Sequence, residues 1–134
     1  MVSRDRIKIV AIIARILLGL TFLVFGLNGF LNFMHAPLPP GLAGTFLSTL
    51  VVSHFVYFVS GVQVIAGVLL LVNQFVPLAL ALLAAVLYNI LAFHITMQPS
   101  GLPPGLIASI LWLILVWRLR DYFAPLFVQK AVEK

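Results

Sequence analysis

The sequence predicts an all-α integral membrane protein, a single domain of residues 1–134 folded as a bundle of four transmembrane helices. The chain is 63% hydrophobic and only 8% charged, with a mean hydropathy of +1.22. Soluble domains are about half apolar and about a quarter charged. All eight Lys and Arg residues lie near the two ends, and residues 16–117 contain no Lys, Arg, Asp or Glu. A soluble fold could not cover so much apolar surface, so a bilayer is the expected solvent.

Four apolar stretches reach the roughly 20 residues that a helix needs to cross the hydrocarbon core. In chain order, the expected spans cover about residues 9–34, 46–72, 75–97 and 104–122. The first and third end in the loops HAPLPPGLAG and QPSGLPPG, whose Pro and Gly residues do not permit a continuous helix. Asn73, Gln74 and Pro77 predict a tight turn between the second and third. The fourth is expected to continue through Tyr122 at the membrane surface, because its apolar part alone is short.

The distribution of charge predicts the side of the membrane that each segment faces. An even number of spans leaves both termini on one side, and short segments rich in Lys and Arg stay in the cytoplasm. The expected topology is therefore N-in/C-in, with the two Pro/Gly loops outside. A formal net charge of +5 would also suit nucleic acid, but the basic residues are confined to the chain ends, so no nucleic-acid partner is expected.

Polar and small side chains recur at helical spacing within three of the spans. In apolar spans such side chains usually turn toward protein, where they find hydrogen-bond partners. The stripes are Thr21, Asn28, Asn32 and His35 on the first helix, Ser53, Tyr57, Ser60, either Gln63 or Val64, and Gly67 on the second, and Ala81, Ala85, Asn89 and Thr96 on the third. We expect the three stripes to meet in the centre of the bundle, with the alanines allowing close helix contact.

These positions predict a polar pocket that opens toward the outside. At about 1.5 Å of rise per residue, Asn28, His54, Tyr57 and Asn89 lie at similar depth, and Asn28 and Asn89 are expected to face each other or a shared cavity. The candidate ligand-binding residues are Asn28, Asn32, His54, Tyr57, Gln63, Asn89 and His94. A small hydrophobic ligand with a polar head would suit this pocket. The alternative is that the same side chains only fasten the helices together.

Metal binding and independent catalysis are not expected. His35, His54 and His94 are not paired at helical spacing and have no carboxylate near them, which does not favour a metal site. Cysteine is absent, which excludes thiolate ligands and thiol redox chemistry within this chain. The three acidic residues lie near the chain ends, whereas general acid–base catalysis normally needs a carboxylate in the site. We therefore predict no catalytic residue, while a role as a membrane subunit of an oxidoreductase stays open.

Three segments resemble the DoxX family of small bacterial membrane proteins. They are RILLGLTFLVFGLNGF from Arg15, GVQVIAGVLLLVNQFVPLALALLAAVLYNILAFHI from Gly61, and PSGLPPGLIASILWLILVWRLRDYF from Pro99. The most specific parts are LLGLTFLVFGLNGF in the first span, GVLLL before the turn, and Asn89 with His94 in NILAFH. The resemblance covers most of the chain.

This resemblance implies a four-helix bundle of the bacterial inner membrane and, from the branch that gives the family its name, association with a thiosulfate:quinone oxidoreductase. Quinone is then the candidate cofactor, and a membrane redox protein or a second copy of the chain is the candidate partner besides the lipid bilayer. Many members place Glu where this chain has Gln63, and the neutral residue puts any charge-dependent role of the position in doubt. Distant relatives act as ligand binders and assembly chaperones, so the fold alone does not choose among functions.

Two functional hypotheses follow from the sequence. The first is a quinone- or lipid-binding subunit associated with a membrane redox system. The second is a non-catalytic membrane interaction or assembly protein. They differ in whether the polar stripes line a pocket or only hold the helices together.

Overall fold

The computed structural model describes residues 3–133 as helices joined by turns and short loops, with no strand among these residues. The helices are α1 (Arg4–Leu31), α2 (Gly41–Val52), α3 (Phe55–Leu71), α4 (Val76–Thr96), α5 (Leu102–Arg118) and α6 (Arg120–Phe123). Single 3-10 turns cover Pro99–Gly101 and Ala124–Phe127. The all-α class is confirmed for this part of the chain. Residues 1, 2 and 134 of the predicted domain lie outside it.

Several of these helices are long and apolar enough to cross a membrane. Within the described residues, three meet this condition alone, namely α1, α4 and the helical stretch Pro99–Arg118. The pair α2 and α3 adds a fourth span if it is counted as one bent helix. Successive long helices run antiparallel, so the bundle has two distinct ends. We call them the turn end, which holds the start of α1 and the α3–α4 turn, and the loop end, which holds residues 32–40 and 97–101.

The helices α1 and α3 pack with their backbones in close contact, because glycines lie on both faces. A Cβ atom at Gly67 would lie 2.7 Å from the backbone nitrogen of Leu23, and one at Gly26 would lie 2.9 Å from that of Val64. Small residues at a helix interface let two backbones approach closely, which increases the dispersion contacts that hold membrane helices together. The glycines therefore determine how α1 lies on α3.

Aliphatic side chains from four helices fill the centre of the bundle. Both α1 and α4 pack against α3 and α5, so α1 and α4 lie diagonally across from each other. The buried core consists of Ala14, Leu18, Phe22, Ala66, Leu70, Val76, Ala79, Leu80, Leu83, Leu87 and Leu115. Ser60 is the only buried polar residue in the described part of the chain. The centre of the bundle is therefore a packed core.

The second predicted span differs from the structure, because it is two helices and not one. A single helix is expected over residues 46–72, but α2 and α3 meet at 85°. At the bend His54 adopts the left-handed conformation (φ 63°), and the Ser53 Oγ accepts the N–H of Phe55 at 3.3 Å. Neither Gly nor Pro marks this position, so no helix-breaking residue in the sequence indicates the bend.

The small-residue stripe of α4 also differs from the expectation, because Ala81, Ala85 and Asn89 face away from the other long helices and Thr96 lies beside α2. Its members Ala81, Ala85, Asn89 and Thr96 are all exposed. The buried face of the same helix carries Val76, Ala79, Leu80, Leu83 and Leu87. α4 carries apolar residues on every side, so hydrophobic periodicity could not indicate which face packs. The leucines fill the space between four helices more completely than alanines would, which favours the observed orientation.

Candidate functional site

Asn28 and Asn32 end α1 at the loop end of the bundle. The Asn28 Oδ1 accepts a hydrogen bond from the backbone N–H of Met34 at 2.7 Å. Asn32 adopts the left-handed conformation (φ 49°) and donates its backbone N–H to the Asn28 carbonyl oxygen at 2.8 Å. These bonds satisfy polar groups that a helix end would otherwise leave unpaired. Asn28 is half-buried and Asn32 is exposed, and the hydrogen bonds of both residues stabilise the end of α1.

His54 and Tyr57 lie together at the loop end in a stack of three rings. The Tyr57 ring lies 5.6 Å from the Phe30 ring, centroid to centroid, with an interplanar angle of 5°. The His54 ring stacks on the Tyr57 ring, also with a centroid distance of 5.6 Å, and with an interplanar angle of 12°. The stack joins the end of α1 to the start of α3. Tyr57 remains 43% exposed, so part of it is accessible from outside the bundle.

Gln63 and Asn89 lie on unrelated faces. Gln63 is half-buried in the α1–α3 contact, where a Cβ atom added at Gly26 would lie 3.0 Å from the Cβ atom of Gln63. Asn89 is exposed, and its Nδ2 donates to the Ala85 carbonyl oxygen of the same helix at 2.8 Å. The expected convergence of Asn28 and Asn89 is therefore wrong, because α1 and α4 are diagonal and Asn89 lies on the outward face of α4.

His94 connects the end of α4 to the start of α5. Its Nδ1 lies 3.1 Å from the Gln98 carbonyl oxygen. Since a carbonyl can only accept, Nδ1 carries the proton and donates it. The imidazole packs so closely on Gly101 that a Cβ atom there would overlap it. His94 therefore holds the two helices together at the loop end.

The structure brings together only some of the seven predicted ligand-binding residues. His54 and Tyr57 share the aromatic stack, and Asn28 and Asn32 share the end of α1, while the other three lie apart. No group of three or more His, Cys, Asp or Glu side chains among residues 3–133 could hold a metal ion. Ligand binding by these seven residues stays a prediction.

A groove at the loop end, here called the α2 groove, is a second candidate site. It lies between α2 and the end of α4 and has a volume of about 540 Å³. Its lining consists of Leu42, Thr45, Phe46, Thr49, Leu50, Thr96 and Met97. The Phe46 ring lies 5.6 Å from that of Phe93, which holds α2 against α4. The groove thus combines apolar walls with three hydroxyl groups.

The hydroxyl groups of the α2 groove all donate to their own helices. Thr45 and Thr49 donate from Oγ1 to carbonyl oxygens four residues earlier, at 3.3 and 2.8 Å. Thr96 does the same to Ala92 at 2.7 Å. A threonine hydroxyl has one proton and two lone pairs, so these groups can still accept hydrogen bonds. The groove therefore favours a hydrophobic ligand that itself donates a hydrogen bond.

Comparison of the chain with protein-family models, with characterised proteins and with solved structures finds no match. The resemblance to the DoxX family therefore rests on the sequence segments quoted above. Any assignment of function depends on the geometry of the candidate sites.

Sequence reasoning misses the α2 groove because the groove exists only once α2 bends away from α3. Residues 46–52 are expected to continue the second span, which would place Thr49 inside a straight helix. The signal that could have found the site is the four-residue spacing of Thr45 and Thr49, which puts both hydroxyl groups on one face. Nothing in the sequence places Thr96 beside them.

Proposed function

We propose that this chain is a membrane protein that binds a hydrophobic, hydroxyl-bearing ligand in the α2 groove and performs no catalysis of its own. In this proposal the chain is a DoxX-like bundle of four spans in the bacterial inner membrane, with both termini in the cytoplasm. The α2 groove then opens on the outer side. Quinols and lipid alcohols are the ligand classes that fit, and a membrane redox system is the corresponding partner.

The observation that carries the proposal is the hydrogen bonding of Thr45, Thr49 and Thr96. Their hydroxyl protons are engaged by backbone carbonyls, while their lone pairs remain available. A quinone carbonyl can only accept, so it would have to compete with the helix backbone for a proton. A quinol or lipid hydroxyl can donate directly to the threonine oxygens. The groove therefore favours the reduced form of a quinone over the oxidised form.

The placement of ionisable groups supports binding over catalysis. The described carboxylates are Asp5, Asp121 and Glu133, none of which lines the α2 groove. Asp5 lies in the first turn of α1, at the opposite end of the bundle. Proton-coupled oxidation of a quinol normally needs a group that takes up the proton. A chain that holds the ligand and passes it to a redox partner needs no such group.

The ligand class can be tested with the purified full chain in detergent micelles. Native mass spectrometry would compare retention of a short-chain ubiquinol with that of the matching ubiquinone, under anaerobic conditions. We expect tighter retention of the quinol, and we expect Thr49→Val to weaken it about fivefold, because one hydrogen bond of about 1 kcal/mol is lost. Thr21→Val is the matched control, since Thr21 also donates to its own helix but lies on α1, outside the groove.

Two results would contradict the proposal. Equal retention of quinol and quinone would remove the preference that the threonines are expected to impose. An unchanged affinity in Thr49→Val, or the same loss in Thr21→Val, would place the ligand elsewhere.

A second candidate function, membrane assembly, is favoured by the outward face of α4. Asn89 lies there beside Ala85, both exposed, within a helix apolar enough to span a membrane. An amide that faces hydrocarbon is costly, and pairing with a partner helix across a small-residue surface would relieve that cost. Intramembrane cross-linking from Ala85→Cys, compared with Ile65→Cys on α3, would test it. Efficient disulfide formation at position 85 alone supports assembly through α4, and equal yields at both positions count against it.

A further inference from the structure

The turn end of the bundle contains a second groove, here called the basic groove, that plays no part in the proposed function. It lies where α1, α4 and α5 meet and has a volume of about 480 Å³. Three cationic side chains line it, those of Lys8, Arg15 and Arg118. Among the described residues that line it, none is acidic. The groove therefore carries a local excess of positive charge without an internal counter-ion.

Arg15 is held at the wall of the basic groove by hydrogen bonds to α3. Its Nη1 donates to the carbonyl oxygen of Leu70 and, at 3.4 Å, to that of Leu71. These carbonyls end α3, so the guanidinium caps the negative end of that helix. Only one of the guanidinium nitrogens is used in these bonds, and a guanidinium has five N–H groups in all. Arg15 can therefore bind an anion without releasing α3.

Lys8 and Arg118 extend the charge to the opening of the groove. Lys8 lies seven residues before Arg15 on α1, which places both on one face of the helix. Arg118 ends α5, which packs beside α1. Lys8 and Arg118 are exposed, whereas Arg15 is half-buried. The arrangement is one half-buried, hydrogen-bonded cation with two exposed cations at the rim.

Most of the remaining wall of the basic groove is apolar, and Asn73 and Tyr122 are its polar members. Ile12, Val76 and Leu115 contribute to it, and Val76 and Leu115 belong to the buried core. The apolar surface thus continues from the cations toward the middle of the helices. A free inorganic anion would leave this surface unused. An amphiphile with an anionic head would use both parts.

We propose that the basic groove binds an anionic phospholipid, with the phosphate of the headgroup at Arg15, Lys8 and Arg118 and the start of an acyl chain against Ile12 and Leu115. Basic pockets between membrane helices are suited to anionic headgroups, because the charges lie at headgroup depth while the walls lie in the hydrocarbon. Val76, the first residue of α4, also lines the groove, and this helix start has no side-chain cap.

The test compares two lipids and two variants of the full chain. Native mass spectrometry of the detergent-purified protein would measure the affinities for phosphatidylglycerol and for phosphatidylcholine with identical acyl chains. We expect the wild-type protein to bind phosphatidylglycerol more tightly than phosphatidylcholine. We expect the double variant Lys8→Gln with Arg118→Gln to lose affinity for phosphatidylglycerol by about fivefold per cation removed. Arg4→Gln with Lys130→Gln removes the same charge outside the groove and should leave the affinity unchanged.

Four outcomes would overturn the proposal. Equal affinities for the two lipids would show that the headgroup charge is not recognised. An equal loss in the Arg4/Lys130 variant would show a general effect of net charge and not a site. An unchanged affinity in the Lys8/Arg118 variant would place the lipid elsewhere. Displacement of phosphatidylglycerol by millimolar inorganic phosphate would show a site for a free anion.

Discussion

The indole Nε1–H of Trp112, on α5, donates to the carbonyl oxygen of Leu80, on α4, at 2.8 Å. The acceptor lies in the second turn of α4, a helix long and apolar enough to cross a membrane. Leu80 is fully buried, so the bond lies where water cannot replace it. It links α4 to α5 and orients α5 relative to α4.

Replacing Trp112 with Phe should destabilise the bundle modestly. The ring is largely kept, and one interhelical hydrogen bond worth about 1 kcal/mol is lost. The free energy of unfolding in mixed micelles, titrated with sodium dodecyl sulfate, measures the effect. Trp117→Phe is the control, because Trp117 is 72% exposed. An equal effect of the two substitutions would mean that the bond to Leu80 contributes nothing.

Replacing two glycines of α3 with alanine should change the free energy of unfolding in opposite directions. A Cβ atom at Gly67 would approach the backbone of Leu23 and Gly19 to within 2.7 and 2.9 Å, so Gly67→Ala should separate α1 from α3 and cost about 1–3 kcal/mol. A Cβ atom at Gly61 meets no heavy atom within 4 Å, so Gly61→Ala should gain up to about 1 kcal/mol from helix propensity. Paired unfolding titrations check both signs. A stabilised Gly67→Ala variant would refute the close contact.

Removing the guanidinium of Arg15 should weaken the turn end. Arg15→Met leaves the Leu70 carbonyl without its charged donor, and a hydrogen bond to a charged group is typically worth about 1.5–3 kcal/mol. The loss should appear in the free energy of unfolding. Arg4→Met is the control, because Arg4 is exposed and lies outside the basic groove. If both variants lose the same stability, the cap on α3 is not the cause.

The bend at His54 should tolerate residues that enter the left-handed region. His54 has φ 63°, so Gly or Asn should be accepted with little change, whereas Val should cost about 1–2 kcal/mol relative to Asn. Unfolding titrations of His54→Asn and His54→Val compare the two directly. Equal stability would indicate that α2 and α3 form a straight helix in the membrane, as the hydropathy pattern predicts.

The predicted topology can be tested by labelling single cysteines in cells. The chain has no native cysteine, so the background is free of other sites. With both termini in the cytoplasm, a membrane-impermeant maleimide should label Ser100→Cys at the loop end and leave Gln74→Cys at the turn end unlabelled. Both positions are exposed in the folded protein. The reverse labelling pattern would contradict the orientation inferred from the basic residues.

Much of the helical content could be predicted because it depends on local chemistry. The Pro/Gly loops and the uncharged stretch of residues 16–117 indicate the long helices, and the predicted spans 9–34, 75–97 and 104–122 overlap α1, α4 and α5. The candidate site was less predictable. Depth along each helix can be counted from the sequence, but the direction in which a side chain points depends on which face of the helix packs. The sequence predicts that Asn89 faces the centre of the bundle, but Asn89 lies on the outward face of α4.

The sequence by itself determined that this chain is apolar, helical and charged only near its ends, since composition and helix-breaking residues act locally. Only the tertiary structure decided that α2 turns away from α3 at Ser53 and His54, and that α4 buries its leucines and exposes Ala81 and Ala85. The physical reason is the same in both cases. In a helix that is apolar on every side, burial from water does not distinguish one face from another, so the choice falls to close packing between helices.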